Sequence, residues 1–171
     1  YLLADPRVDP SDNHNKAIRM ASTNGHLDIV RCLLADHRVD PSDDDNYAIR
    51  FSSRCGHVEI VRCLLADARV DPSVNDNSAI LWSSLNGHLD VVRCLLADPR
   101  VNPSAGNNWA VQRAYHGGHD KVVQLLLADQ RVTLISHVLF EINGITSTSI
   151  PMYHALLLDN FPQSKLKSYM Q

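Results

Sequence analysis

Four histidines at regular spacing are the first residues of this sequence that could do chemistry. Each follows a glycine, and successive members are 31 residues apart: His26, His57, His88 and His119. A zinc ion holds nitrogen ligands at about 2.0–2.1 Å, whereas equivalent positions on packed helices lie about 8–10 Å apart. We therefore expect each histidine to pack beside a glycine. His116 and His119 form a local pair, but no third ligand is evident beside them.

Three of the four cysteines follow the same spacing, at positions 32, 63 and 94. Equivalent positions in successive units should be too far apart for a disulfide, which needs Cα atoms within about 7 Å. Because Leu125 takes the next place in this series, we expect buried thiols. Cys55 stands outside the series. A nucleophilic cysteine needs a positioned base, and the nearby His57 belongs to the Gly-His series.

Other arrangements of reactive residues are weaker. Residues 43–45 are three aspartates, but they lack the glycine and the distal glutamate of a calcium loop. No glycine-rich phosphate loop, zinc spacing or Ser-His-Asp arrangement is present. The sequence therefore predicts a protein that is not an enzyme and has no cofactor or metal.

Composition excludes further classes of protein. The chain has 171 residues, with 16 basic and 19 acidic side chains and a formal net charge of −3. This weak acidity argues against nucleic-acid binding, which needs a clustered basic face. No apolar run approaches the about 18–20 residues of a membrane span. Without a recognisable signal peptide, and with few cysteines, an intracellular and cytoplasmic protein is expected.

The dominant feature is internal repetition with a period of 31 residues. The triplet Asp9-Pro10-Ser11 recurs three times, with Asn102 in place of the aspartate in the last copy. The predicted units are a remnant at 1–8, repeats at 9–39, 40–70, 71–101 and 102–132, a degenerate capping repeat at 133–163 and a tail at 164–171. Because the remnant contains only the end of a unit, the chain is expected to be a fragment of a longer array.

Each repeat predicts a turn, a first helix, a second turn and a second helix. Asp-Pro-Ser is typical of turns, and the asparagine at position 15 and its copies suit a helix N-cap. Helices are expected at 16–24, 27–35, 47–55, 58–66, 78–86, 89–97, 109–117 and 120–128. The core is expected to comprise Ile18, Ala21, Val30, Leu33, Leu34 and their copies, which share one face of each helix.

An Asp-x-Arg sequence ends every second helix. It occurs at 5–7, 36–38, 67–69, 98–100 and 129–131. Repeating both charges along a stack predicts a structural ladder in which each arginine pairs with the aspartate of its own or the next repeat. Exposed ion pairs each contribute only about 0–1 kcal/mol.

The repeat resembles the ankyrin repeat. The resemblance rests on Asn24-Gly25-His26, Val30, the Leu33-Leu34 pair and their copies. It implies an all-α, ankyrin-type helix-turn-helix solenoid. Its hairpin loops are expected to be short or vestigial, because the period is two residues below the family's ~33. In the family a first-helix histidine ties neighbouring repeats together. This chain replaces that histidine with Arg19, Arg50, Leu81 and Gln112, which puts the tie in question.

Such arrays commonly bind proteins on a concave face, and the leading hypothesis is a protein-interaction module of this kind. Positions that vary between repeats are free of packing constraints, and arginines and aromatics there suit binding. The candidate residues, on the first helices and the adjoining loop tips, are Lys16, Arg19, Met20, Thr23, Tyr47, Arg50, Phe51, Arg54, Ser78, Leu81, Trp82, Leu85, Trp109, Gln112, Arg113 and His116. Two alternatives stay open. Some of these side chains could be partly buried filler, and the segment could be a spacer or substrate-recruiting arm of a larger protein.

Overall fold

The described part of the computed structural model comprises Asp5 and residues 7–132. Within it the chain forms eight α-helices and no strand. In chain order these are α1 (Asp12–Thr23), α2 (Leu27–Leu34), α3 (Asp43–Cys55), α4 (Val58–Leu65), α5 (Val74–Leu85), α6 (Leu89–Leu96), α7 (Ala105–His116) and α8 (Asp120–Ala128). The predicted capping repeat, the tail and most of the N-terminal remnant lie outside the described residues.

Each odd-numbered helix includes three residues of left-handed backbone near its beginning. They are residues 13–15, 44–46, 75–77 and 106–108, with φ between 51° and 65°. All except His14 are asparagine, aspartate or glycine, the residues that adopt this conformation at least cost. The right-handed part of each helix therefore begins at residue 16, 47, 78 or 109, as predicted.

The odd helices form one layer and the even helices form the other. α1, α3, α5 and α7 pack side by side, and each also packs on the even helix that follows it. Contacts between odd helices are more extensive than those between even helices. The exposed side of the odd helices carries the candidate residues of the first helices, and we call it the concave face.

The core lies between the two layers and contains most of the predicted residues. Ile18, Ala21, Val30 and Leu33 are buried, and so are their copies. The prediction was wrong for Leu34 and its copies, which are only half-buried. Leu34 is the last residue of α2, and its side chain packs against the margin of the core.

The cysteines are not buried, contrary to expectation. Cys32 is exposed, Cys63 and Cys94 are half-buried, and all three thiols are free. Each precedes the buried leucine of its second helix. Adjacent residues of an α-helix point about 100° apart, so the cysteine turns away from the core when the leucine faces it.

The first repeat leaves an apolar face uncovered. Ile29 is 51% exposed, whereas its copies Ile60, Val91 and Val122 are at most 2% exposed. Ala17 is likewise exposed, although its copies are buried. In the inner repeats, the preceding repeat covers this face.

Candidate functional site

A buried asparagine links each repeat to the next. The Oδ1 of Asn15 accepts a hydrogen bond from the backbone N–H of Asp40 at 2.8 Å. Asn46 accepts from Asp71 at 2.8 Å, and Asn77 accepts from Asn102 at 2.6 Å. The expectation that this asparagine is a helix N-cap was therefore wrong. Its backbone is left-handed, and its side chain bonds to the following repeat.

The arginine of each Asp-x-Arg sequence forms a second link. Arg69 is held by its own Asp67, with Nη2 and Oδ2 at 2.6 Å. Its Nη1 donates to the backbone carbonyl of Val39 in the preceding repeat at 2.7 Å. Arg100 repeats this arrangement with Asp98 and with the carbonyl of Val70 at 2.7 Å. Of the two pairings considered, the ladder thus uses aspartates of the same repeat.

These arginines also lower the pKa of the carboxyl groups that they bind. The hydrogen bond from the Arg38 side chain lowers the pKa of Asp36 from 3.8 to about 2. Side-chain hydrogen bonds from the paired arginines lower the pKa of Asp67 and Asp98 in the same direction. Each carboxylate accepts a charge-assisted bond that stabilises its ionised form.

The Gly-His histidines form a third link. The Nε2–H of His57 donates to the carbonyl of Thr23 at 3.0 Å, and His119 donates likewise to Leu85 at 2.9 Å. A Cβ atom added to Gly25 would lie 2.8 Å from the His57 ring. The predicted packing of histidine beside glycine is confirmed, with the glycine belonging to the preceding repeat. The Gly-His histidines therefore connect neighbouring repeats, although the first-helix histidine of the family is missing here.

Three of the four residues that replace that histidine, Arg19, Arg50 and Gln112, donate to the left-handed segment of their own repeat. Arg50 donates to the carbonyls of Asp45 at 2.7 Å and Asp44 at 3.0 Å. Gln112 donates to the carbonyl of Asn107 at 3.0 Å. Some of the hydrogen-bond donors of these side chains are therefore already used within their own repeat.

The concave face contains most of the predicted binding residues. Exposed members are Lys16, Arg54, Trp82, Trp109, Arg113 and His116. Half-buried members are Arg19, Met20, Thr23, Tyr47, Arg50, Phe51, Leu81, Leu85 and Gln112. Ser78 is buried, so the structure removes it from the accessible surface.

Arginines and aromatic rings lie next to one another in a row along this face. The Arg19 guanidinium lies 5.1 Å from the Tyr47 ring centroid, and Tyr47 stacks on Phe51 with centroids 3.9 Å apart. Arg54 then lies 5.9 Å from the Phe51 ring and 5.2 Å from the Trp82 ring. These distances are within the range of cation–π attraction. We call these five residues the arginine–aromatic row; it crosses α1, α3 and α5.

Sequence reasoning placed these residues on one side but missed the role of the left-handed segments. The signal was present: three consecutive positions in each repeat are almost entirely asparagine, aspartate or glycine. A run of such residues before a helix indicates left-handed backbone as well as a cap.

In the described part of the chain, no group of three or more histidine, cysteine, aspartate or glutamate side chains is placed to hold a metal ion. No helix within residues 7–132 has the length and apolar character needed to cross a membrane.

Comparison with known proteins assigns the family. The family profile of ankyrin repeats, in three copies, matches residues 1–76 and 53–136. The chain belongs to the ankyrin-repeat family, whose members are generally not enzymes.

A solved structure is similar over most of the chain. It is a chain in the crystal structure of the yeast ribosomal protein Rps3 in complex with its chaperone Yar1, at 26% identity and a TM-score of 0.58. The match covers 70% of this chain and 95% of that one. No curated protein matches the sequence.

Proposed function

We propose that this chain is a non-enzymatic protein-interaction module that binds a protein partner on its concave face and the adjoining loop tips. The observation that carries this proposal is the contrast between repeated and varied positions. The residues that link repeats recur in every inner unit, whereas the concave positions change from Met20 to Phe51, Trp82 and Arg113. Side chains released from packing are available for recognition.

Two further observations support the proposal. Trp82 is 37% exposed and Trp109 is 45% exposed, both on the odd-helix layer. Exposed tryptophans are frequent anchors of protein interfaces. The similar solved chain comes from a complex between a ribosomal protein and its chaperone.

Binding measurements with surface variants would test this function. Partners retained by the wild-type chain from its native lysate would be identified and then titrated as purified proteins. We expect saturable binding that is weakened by Trp109→Ala and by Arg54→Ala. Arg50→Ala is less informative, because Arg50 also bonds to the left-handed segment.

Arg93→Ala provides the matched control, because Arg93 is exposed on the even-helix layer. It should leave binding unchanged. If no partner binds saturably, or if the concave variants bind like wild type, the chain is better explained as a spacer or recruiting arm.

A further inference from the structure

Charge is segregated within the layer of odd helices. The right-handed parts of the odd helices contain five cationic residues and no aspartate or glutamate: Lys16, Arg19, Arg50, Arg54 and Arg113. Each even helix instead has one acidic and one basic residue within its bounds, and in α8 these are the adjacent Asp120 and Lys121. The odd helices also contain five aspartates, all before their right-handed parts, at positions 12, 43, 44, 45 and 76. The right-handed part of the concave layer is therefore basic, although the chain as a whole is acidic.

The concave arginines differ in how many of their hydrogen-bond donors already bond within the chain. Arg19 pairs with Asp44, and Arg50 donates to two backbone carbonyls. Arg54 and Arg113 are exposed, and neither forms an ion pair with any residue in the described part of the chain. These two guanidinium groups have donors available for an external anion.

Arg54 also has two aromatic neighbours. Its guanidinium lies 5.9 Å from the Phe51 ring centroid and 5.2 Å from the Trp82 ring centroid, within the range of cation–π attraction, which favours this orientation of the side chain. A side chain that is ordered before binding loses less conformational entropy when a ligand arrives. Guanidinium forks bind carboxylates in bidentate fashion, which adds directional specificity.

From this arrangement we propose that the partner segment is acidic, with carboxylates that bind Arg54 and Arg113 and an apolar side chain that packs on Trp82 between them. This inference rests on the proposed function and specifies the partner of that same face. α3 and α7 are two repeat steps apart, or about 16–20 Å. An extended segment covers that distance in about five or six residues.

An acidic protein segment fits this face better than a nucleic acid does. The left-handed segments near the beginning of the odd helices carry Asp44, Asp45 and Asp76, all exposed. A nucleic acid has a phosphate at every step and would bring some of them close to these carboxylates. A peptide can place its charges only where the arginines lie.

The test is selection from a random peptide library displayed on phage, using the complete 171-residue chain as bait. We expect enrichment of peptides with two acidic positions about five or six residues apart and an apolar residue between them. The best enriched peptide, labelled with fluorescein, would then be titrated by fluorescence polarisation. Replacing its acidic residues with their amides should weaken binding by about tenfold or more.

Variants of the protein locate the contact. The double variant Arg54→Glu/Arg113→Glu should weaken binding by at least about tenfold, while Arg93→Glu on the other layer should leave it unchanged. Circular dichroism would show whether the double variant is folded. If it is not, Arg54→Gln/Arg113→Gln replaces it, with the same direction of effect expected.

The outcomes separate this inference from the proposed function. Enriched peptides that are neutral or basic, or that bind the charge-reversed variant equally well, would overturn the acidic partner and leave an interaction module. Tighter binding of a labelled oligo-dT strand than of any peptide would favour nucleic acid and overturn the inference. A selection that enriches nothing would overturn the acidic segment, while the proposed function would still be decided by the titrations with purified partners.

Discussion

One asparagine in each repeat has two structural roles that depend on the same side chain. Asn77 adopts a left-handed backbone with φ of 59°, and its Oδ1 accepts the N–H of Asn102 in the next repeat. Asparagine tolerates the left-handed region better than most residues, and its short carboxamide reaches the neighbouring chain. Asn75 has the same backbone conformation but an exposed side chain. A comparison of Asn75 with Asn77 therefore separates the role of the left-handed backbone from the role of the hydrogen bond to the next repeat.

Asn77→Ala should therefore destabilise the protein more than Asn75→Ala. Both variants place alanine in left-handed backbone, at a cost of about 1–2 kcal/mol. Only Asn77→Ala also leaves the Asn102 amide without its acceptor, which adds about 1–3 kcal/mol. Urea unfolding monitored by circular dichroism measures the difference. Equal losses would show that the link between repeats contributes nothing.

The Asp-x-Arg pairs should make the folded chain less stable as the pH falls into the acid range. The pKa of Asp36 is about 2 in the folded chain, below the usual 3.8, and those of Asp67 and Asp98 are also lowered. A carboxyl with a lowered folded-state pKa stabilises the fold above its unfolded pKa, and this contribution is lost as pH falls. We expect stability to decline between about pH 4 and pH 2.

Asp67→Asn/Asp98→Asn should reduce this decline and lower stability at pH 7. The measurement is the urea midpoint at pH 7 and at pH 3 for wild type and variant. Arg69→Gln/Arg100→Gln removes the same bonds from the other side and should flatten the pH dependence similarly. An unchanged difference between the two pH values would contradict the assignment.

At the scale of the helices, the turn between first and second helix is also a contact between repeats. Gly56 ends α3 with φ of 82°, a conformation that favours glycine. A Cβ atom there would lie 2.7 Å from Nδ1 of His88 in the next repeat. Gly118 has φ of 71°, but a Cβ atom there would meet no atom of the described residues within 4 Å.

Gly56→Ala should consequently cost more stability than Gly118→Ala. Both pay for left-handed alanine, about 1–2 kcal/mol, but only Gly56→Ala pushes the His88 ring away from the carbonyl of Arg54. The free energy of unfolding by denaturant would be compared for the two variants. A similar loss in both would mean that the histidine moves aside without cost.

At the scale of the whole molecule, stability should vary along the stack. Units of a repeat array contact only their neighbours, so a unit with an uncovered face is held by fewer interactions. We expect faster amide hydrogen exchange in 9–39 than in 71–101, because local opening follows missing contacts. Equal protection in both segments would mean that the first repeat is already capped.

A pair of matched variants provides a control for that comparison. Ile29 and Ile60 occupy the same position in successive repeats, but only Ile60 is buried. Ile60→Ala should cost about 2–5 kcal/mol, as expected for a buried isoleucine. Ile29→Ala should cost much less, because half of its side chain is already exposed. Comparable losses would show that the uncovered face is protected in solution.

The 31-residue period, the helix positions, the family and most of the core could be predicted from the sequence. These features follow from local conformational preference and from apolar periodicity, and the same pattern recurs in four successive repeats. Because the pattern recurs, the starts of the right-handed helices at 16, 47, 78 and 109 could be predicted, and they agree with the structure. The placement of the candidate binding residues on one layer followed from the same periodicity.

What the tertiary structure decided is which partner each polar side chain takes. Asn15 bonds to Asp40, and Arg69 reaches Val39, because stacking brings together residues about one repeat apart in sequence. Stacking also buries Ser78 and Ile60 while leaving Ile29 exposed. A repeated sequence makes equivalent positions look alike, and only their neighbours in space distinguish a covered face from an open one.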